Sequence, residues 1–189
     1  MNVIKNSSKR FEFPETQVIC HNVWPKNLSY KDLQGANFIG SKLSGSNLKG
    51  ANLNNASLVC SDLRKSCLRW AKLNKAKLTG VNLLDADLRE AQLNGAEMIS
   101  ANLVRADLRN AFLIGANLRM AKLTLAKLNG ANMWGADLTG ANLWGTDLRE
   151  VTGLTCKQLA FAMIDRQTQL PDYIKINWLS KERFEITKE

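Results

Sequence analysis

A large apolar residue recurs at every fifth position from Leu28 to Leu148, giving 25 consecutive units with no insertion or deletion. Leucine holds 22 of these centres, and Phe38, Met98 and Met133 hold the rest. Two residues before the centre only small side chains occur: from Ala36 to Thr146 that position carries 17 Ala, 4 Ser, Val81 and Thr146. The residues just before the centre and at the first and second places after it are mostly Asn, Asp, Lys, Arg, Gly and Thr. Two inward and three outward positions per unit predict a narrow apolar spine under a wide solvated surface.

Neither regular element accommodates this period. A helix turns about 100° per residue, so centres five apart spiral around it and form no stripe. A strand alternates faces, so an odd spacing sends successive leucines to opposite sides. A coiled coil needs a mean spacing of about 3.5 residues. The chain must therefore turn within every unit, and self-similarity at a fixed period is the mark of a solenoid. The glycines fall mostly at the second place after the centre, as in Gly35, Gly45, Gly95, Gly115, Gly135 and Gly145, where a corner needs permissive dihedrals.

Many units read Ala-Asn/Asp-Leu: Ala51-Asn52-Leu53, Ala86-Asp87-Leu88, Ala101-Asn102-Leu103, Ala106-Asp107-Leu108, Ala116-Asn117-Leu118, Ala136-Asp137-Leu138 and Ala141-Asn142-Leu143. These residues resemble the pentapeptide-repeat family, with its pattern A(D/N)LXX, over about two thirds of the chain. The resemblance implies an all-β solenoid, a right-handed quadrilateral β-helix with one pentad per side and four per coil. That gives about six coils, a rod roughly 30 Å long at the inter-strand spacing of ~4.8 Å.

Both ends of such a rod expose edges that invite end-to-end aggregation unless covered. Residues 1–26 hold Phe11, Phe13, Val18, Ile19, Val23 and Trp24 without a repeat, and are expected to form an N-terminal cap. His21 within them is expected to be a capping or surface residue. Residues 27–151 form the β-helix. The repeat fails at Val151-Thr152-Gly153, and Thr155-Cys156-Lys157-Gln158 reads as a capping box. A short C-terminal capping helix over about 156–166 should lay Leu159, Phe161, Ala162, Met163 and Ile164 on the last coil, with Pro171 barring its extension. Residues 152–189 thus form helix and tail, the last ~8 residues fraying. The segment from Gly153 to Pro171 is similar to the cap of cyanobacterial-type family members, which implies a cyanobacterial source.

The formal charge of +9 divides as +2 on residues 1–26, +6 on 27–151 and +1 on 152–189. No apolar leader core lies in residues 1–10, and no run approaches the ~20 apolar residues of a membrane span, so a cytoplasmic protein is expected. Cys20, Cys60, Cys67 and Cys156 make no CxxC, and His21 is the sole histidine, so free thiols and no metal site are expected. No phosphate loop, metalloprotease or nucleophile-elbow motif occurs in a suitable context, and a filled rod has no deep pocket, so neither enzyme activity nor a cofactor is expected.

With four pentads per coil, residues 20 apart lie above one another. Lys49, Arg69, Arg89, Arg109 and Arg149 then form a basic stripe, partly compensated by Asp87, Asp107, Asp147, Glu90 and Glu150. It reads as a solvated ion-pair ladder or as a partner-binding stripe for carboxylates or phosphates. The next side stacks Gln34, Asn54, Asn74 and Asn94, then Ile114 and Trp134, an amide ladder of structural use. On the other two sides Leu84, Ile99, Val104, Leu125 and Trp144 make a candidate apolar interface, with dimerisation as one hypothesis.

The favoured function is a non-enzymatic module presenting a rigid face to an unidentified protein partner. The resemblance supports this, since several relatives act by binding proteins. The alternative is basic-stripe binding to nucleic acid or an anionic surface, which the dilution by acids and the lack of interleaved aromatics disfavour. The resemblance also raises mimicry of duplex DNA against gyrase, but a rod of net +6 has the wrong sign for it.

Overall fold

The computed structural model describes residues 27–179 and 184–188. The cap expected over 1–26, with Cys20 and His21, lies outside the described residues. From residue 27 the chain forms a stack of square coils. The residue before each centre makes one parallel bridge to the residue 20 positions on, from Asn27–Asn47 through Asn132–Thr152. Each side is a single bridge between two turns, because two of the five residues are consumed by the corner.

The corner is set by backbone geometry. All 25 residues at the second place after a centre have φ between 54° and 74°, and 14 of them are not glycine. A positive φ there, with a hydrogen bond from the next small residue's N–H to the leucine carbonyl (Ala36 N to Leu33 O, 3.1 Å), marks a type II turn. β-Branched side chains fit this conformation worst. None occupies any of the 25 corner positions, whereas eight stand one residue earlier.

Five N–H groups per unit need partners. The centre N–H donates to the next coil (Leu53 to Lys72 O, 2.7 Å), as does the corner N–H (Asn55 to Asn74 O, 3.0 Å). The residue before the centre donates to the previous coil (Asn52 to Lys31 O, 2.9 Å), and the small residue closes the turn. The fifth N–H, just after the centre, is met by the Asn or Asp side chain two residues earlier, as in Ile39 to Asn37 Oδ1 at 3.1 Å and Trp144 to Asn142 Oδ1 at 3.0 Å. The Asn/Asp preference before the centre therefore completes the backbone's hydrogen bonding locally. Where Lys72, Gln92 and Phe112 replace it, the ladder asparagines substitute: the N–H groups of Asn74, Asn94 and Ile114 donate to the Oδ1 of Asn54, Asn74 and Asn94.

The interior is filled. Every centre and every alanine two residues before one is buried, most with no exposed surface. Burying each leucine contributes about 1.5–3 kcal/mol.

Beyond the repeat, the expected helix is much shorter than the apolar spacing suggested. α1 spans only Cys156–Leu159, capped by the Thr155–Gln158 box. The chain then continues the ladder in irregular form, with bridges Asn142–Met163 and Asp147–Gln169 at offsets of 21 and 22. Leu159, Ala162 and Ile164 cover the last coil, but Phe161 and Met163 point out. The reason is the last coil's unpaired backbone. Gln158 Nε2 donates to the Met133 and Ala136 carbonyls (3.1 and 2.8 Å), Thr168 Oγ1 to Leu143 O (2.9 Å) and Tyr173 Oη to Val151 O (2.9 Å). Asp165 Oδ1 accepts from Gly145 N at 2.9 Å. Gly153, at φ 74°, passes so close to Trp134 that a Cβ would stand 2.7 Å from its Cα. The expected frayed end is instead a hairpin: β1 (Ile174–Trp178) pairs antiparallel with β2 (Phe184–Lys188).

Candidate interaction surfaces

The basic stripe stands on one side as the period requires, and most of its charge is locally matched. Arg89, Arg109 and Arg149 each grip the aspartate two residues earlier in the same pentad with two hydrogen bonds, as Nε to Oδ1 and Nη2 to Oδ2 at 2.6–3.0 Å. Arg64 holds Asp62 in the same way on the fourth side. Arg105 reaches across coils to Asp85 at 2.7 Å. The Asp-Leu-Arg order places both side chains on the outer face of one short side, so the fork closes within the pentad. The hydrogen bond from Arg64 holds the Asp62 carboxyl below the usual range, and that from Arg149 does the same for Asp147. At Asp107 burial pushes upward, and the hydrogen bonds and charge of Arg109, with the charge of Arg89, more than reverse it. The hydrogen bond to Asp87 raises the Arg89 guanidinium further above its usual value.

Arg69 is the exception. Cys67 stands where its aspartate would be, its Nη2 is 3.8 Å from Glu90, and its buried Nε has no hydrogen-bond partner. It lies 5.0 Å from the centre of the Trp70 ring, and Lys49 Nζ lies 4.7 Å from the same ring. The expectation of a stripe without aromatics fails here. Trp70 is the corner residue that follows Arg69, and its left-handed backbone brings the indole onto a cation of its own unit and one of the preceding coil.

The amide ladder forms on the second side, with Asn74 Nδ2 3.1 Å from Asn54 Oδ1. It gives way in the later coils to Phe112, Ile114 and Trp134, which are 44%, 41% and 69% exposed. With Phe161 at the rim, Trp134 borders an open groove of about 500 Å³ lined also by Thr139, Gly153 and Gln158. Of the candidate apolar interface, Leu125 and Trp144 are exposed, whereas Leu84, Ile99 and Val104 are half-covered by the coils above and below. In the sequence Ile114 and Trp134 continue the ladder column, Phe161 belongs to the face expected to cover the last coil, and Phe112 is assigned to no interface. The signal was present in Phe112, an aromatic at a place usually polar.

Charge divides along the rod in a way that whole-rod counting concealed. Residues 27–79 carry nine basic and two acidic side chains, and residues 80–151 carry seven and eight. Among the described residues no group of three or more His, Cys, Asp or Glu could hold a metal ion, and Cys60, Cys67 and Cys156 are free thiols. No helix among them is long and apolar enough to cross a membrane.

A four-sided stack of five-residue units around a filled spine defines a pentad-built β-solenoid, a class whose chemistry is confined to its exterior. The chain belongs to the pentapeptide repeat family. The family described as Pentapeptide repeats matches in 8 copies over residues 32–69, 66–103, 101–132 and 121–152. Such proteins fold as right-handed quadrilateral β-helices and are generally structural or interaction modules rather than enzymes. Solved structures similar to the chain include HetL, a pentapeptide repeat protein involved in heterocyst differentiation regulation from the cyanobacterium Nostoc sp. strain PCC 7120. It is 31% identical over 76% of this chain and 78% of its own, with a TM-score of 0.43. Rfr23 from the cyanobacterium Cyanothece 51142 is 31% identical over 68% of this chain and 90% of its own, TM-score 0.35. A pentapeptide repeat protein of the Arabidopsis thaliana thylakoid lumen is 31% identical over 61% and 68%, TM-score 0.32. No curated protein matches the chain.

Proposed function

We propose that this chain is a non-enzymatic interaction module that binds a protein partner through the apolar exterior of its later coils. One observation carries the reading. Among the described residues, eight of the twelve exposed large apolar side chains lie between residues 112 and 163: Phe112, Ile114, Met120, Leu125, Trp134, Trp144, Phe161 and Met163. Of these, Phe112, Ile114 and Trp134 share the second side, with Phe161 at its rim beside Trp134. Apolar exposure grouped on one side marks protein interfaces, and Trp is enriched among the residues that dominate binding energy. In this reading residues 27–151 display the surface and residues 152–189 close the rod. The three paired arginines of the stripe act as a solvated ladder. A duplex-DNA mimic is disfavoured further, since residues 27–79 alone are net +7.

The test compares wild type with Ile114→Ser/Trp134→Ser and with Arg89→Gln/Arg109→Gln. A partner captured from native lysate, or a dimer seen by sedimentation, should weaken about 30-fold or more in the first variant and persist in the second. Retention by the serine variant and loss in the glutamine variant would reject the reading in favour of the stripe.

A further inference from the structure

The first half of the rod carries a cationic belt that the apolar interface does not use. In the sixteen residues 62–77 the coil carries Arg64, Lys65, Arg69, Lys72, Lys75 and Lys77 with one carboxylate of its own, Asp62, and the next coil sets Asp85, Glu90 and Glu97 beside Lys65, Arg69 and Lys77. The cations stand on all four sides in turn: Arg64 and Lys65 on the fourth, Arg69 on the first, Lys72 and Lys75 on the second and Lys77 on the third. All but Arg69 are exposed. Lys49, one coil earlier, shares the Trp70 ring with Arg69. The Tyr30 ring lies above Trp70 on the same corner, 65% exposed and packed over Gly50.

We infer that this belt binds single-stranded nucleic acid, with the phosphates following the cations around the coil and bases stacking at Trp70 and Tyr30. Three features select this ligand. The concentration of positive charge, nine basic against two acidic residues over 27–79, demands a polyanion. Its distribution around the perimeter suits a flexible strand, since a rigid duplex or a flat membrane meets only one side of a rod at a time. The two exposed aromatics offer π-faces beside the cations, the combination used by sequence-tolerant single-strand binders and of no use to the closed stack of a duplex. Arg69 lacks the in-pentad aspartate of its neighbours, and its nearest carboxylate, Glu90, stands 3.8 Å from Nη2.

The experiment measures anisotropy of a labelled 20-nucleotide single strand, the matching duplex, a labelled poly-glutamate peptide and anionic vesicles at 50 and 200 mM salt. The single strand should bind at least tenfold tighter than the duplex or the peptide. If four phosphates are neutralised, its affinity should fall roughly 50-fold between the two salt concentrations. Lys72→Glu/Lys75→Glu/Lys77→Glu should weaken binding at least tenfold, and Trp70→Asn, which retains a residue that tolerates the left-handed corner, about fivefold or more. Arg109→Gln and Trp134→Ser should leave it unchanged, and a thermal melt of each variant confirms that it is folded. No binding at 50 mM salt, equal binding of duplex and single strand, or preference for the peptide or vesicles would overturn the inference. So would folded belt or Trp70 variants that bind as the wild type does.

Discussion

Leu58 and Leu118 occupy equivalent centres three coils apart on the same side, and each exposes at most 1% of its surface. Outside them the rod differs. Around Leu58 lie lysines, arginines and few acids, while around Leu118 lie matched ion pairs and exposed Phe112, Met120 and Trp134. One backbone, repeated without change, carries two unlike exteriors. In a solenoid the inward pair of each pentad fixes the fold, and the outward three are free to specify something else in each region.

If the halves share one scaffold, Leu58→Ala and Leu118→Ala should cost nearly the same, about 4 kcal/mol each, because each leaves a cavity in an equally filled spine. Thermal unfolding would show this as paired drops in melting temperature, and a gap beyond about 2 kcal/mol would break the equivalence. The corners offer a finer contrast between the repeat and its closing segment. Gly135→Ala meets no atom within 4 Å and should suffer only left-handed strain, about 1 kcal/mol. Gly153→Ala adds a Cβ 2.7 Å from the Trp134 backbone and should cost about 3 kcal/mol, read in the same melts.

Acid should separate the halves more weakly. Of the rod carboxylates held below their ordinary value, Asp62 lies in the first half and Asp85, Asp107, Asp137 and Asp147 in the second. A carboxyl depressed in the folded state contributes stability that is complete above its unfolded value, near 3.8, and is lost as pH falls through the folded one. The melting temperature should therefore decline below about pH 4. Asp107→Asn with Asp147→Asn keeps the acceptors for the local N–H groups but should shrink that decline by about 2 °C, more than Asp62→Asn does. A decline centred near pH 6, or one that these variants leave intact, would refute the assignment.

The coil itself was legible because one apolar residue in five admits no other solution, and the amide ladder followed from the 20-residue vertical spacing. The rest required backbone geometry. The absence of β-branched residues from the corners was visible but meaningless until their φ was known. The aspartates beside the stripe were legible as compensation. Their two-point grip on arginines of the same pentad depends on how a short side presents both residues. The helix expected to reach residue 166 failed because local apolar spacing could not register what the last coil's carbonyls required. Gln158, Thr168 and Tyr173 answer that requirement from a chain that keeps laddering. Leu84, Ile99 and Val104 face outward yet are half-covered, because a residue's cover comes from positions 20 away, which the linear pattern does not weigh.

The 14 left-handed corners that are not glycine have an evolutionary consequence. Each is one point on a lattice whose vertical neighbours are 20 codons distant, so a single nucleotide change repaints one point and leaves the adjoining ones alone. Duplicating 60 nucleotides would add a whole storey without disturbing phase. Such a chain can exchange one outer surface for another by changes at its edges while its buried leucines stay where they are.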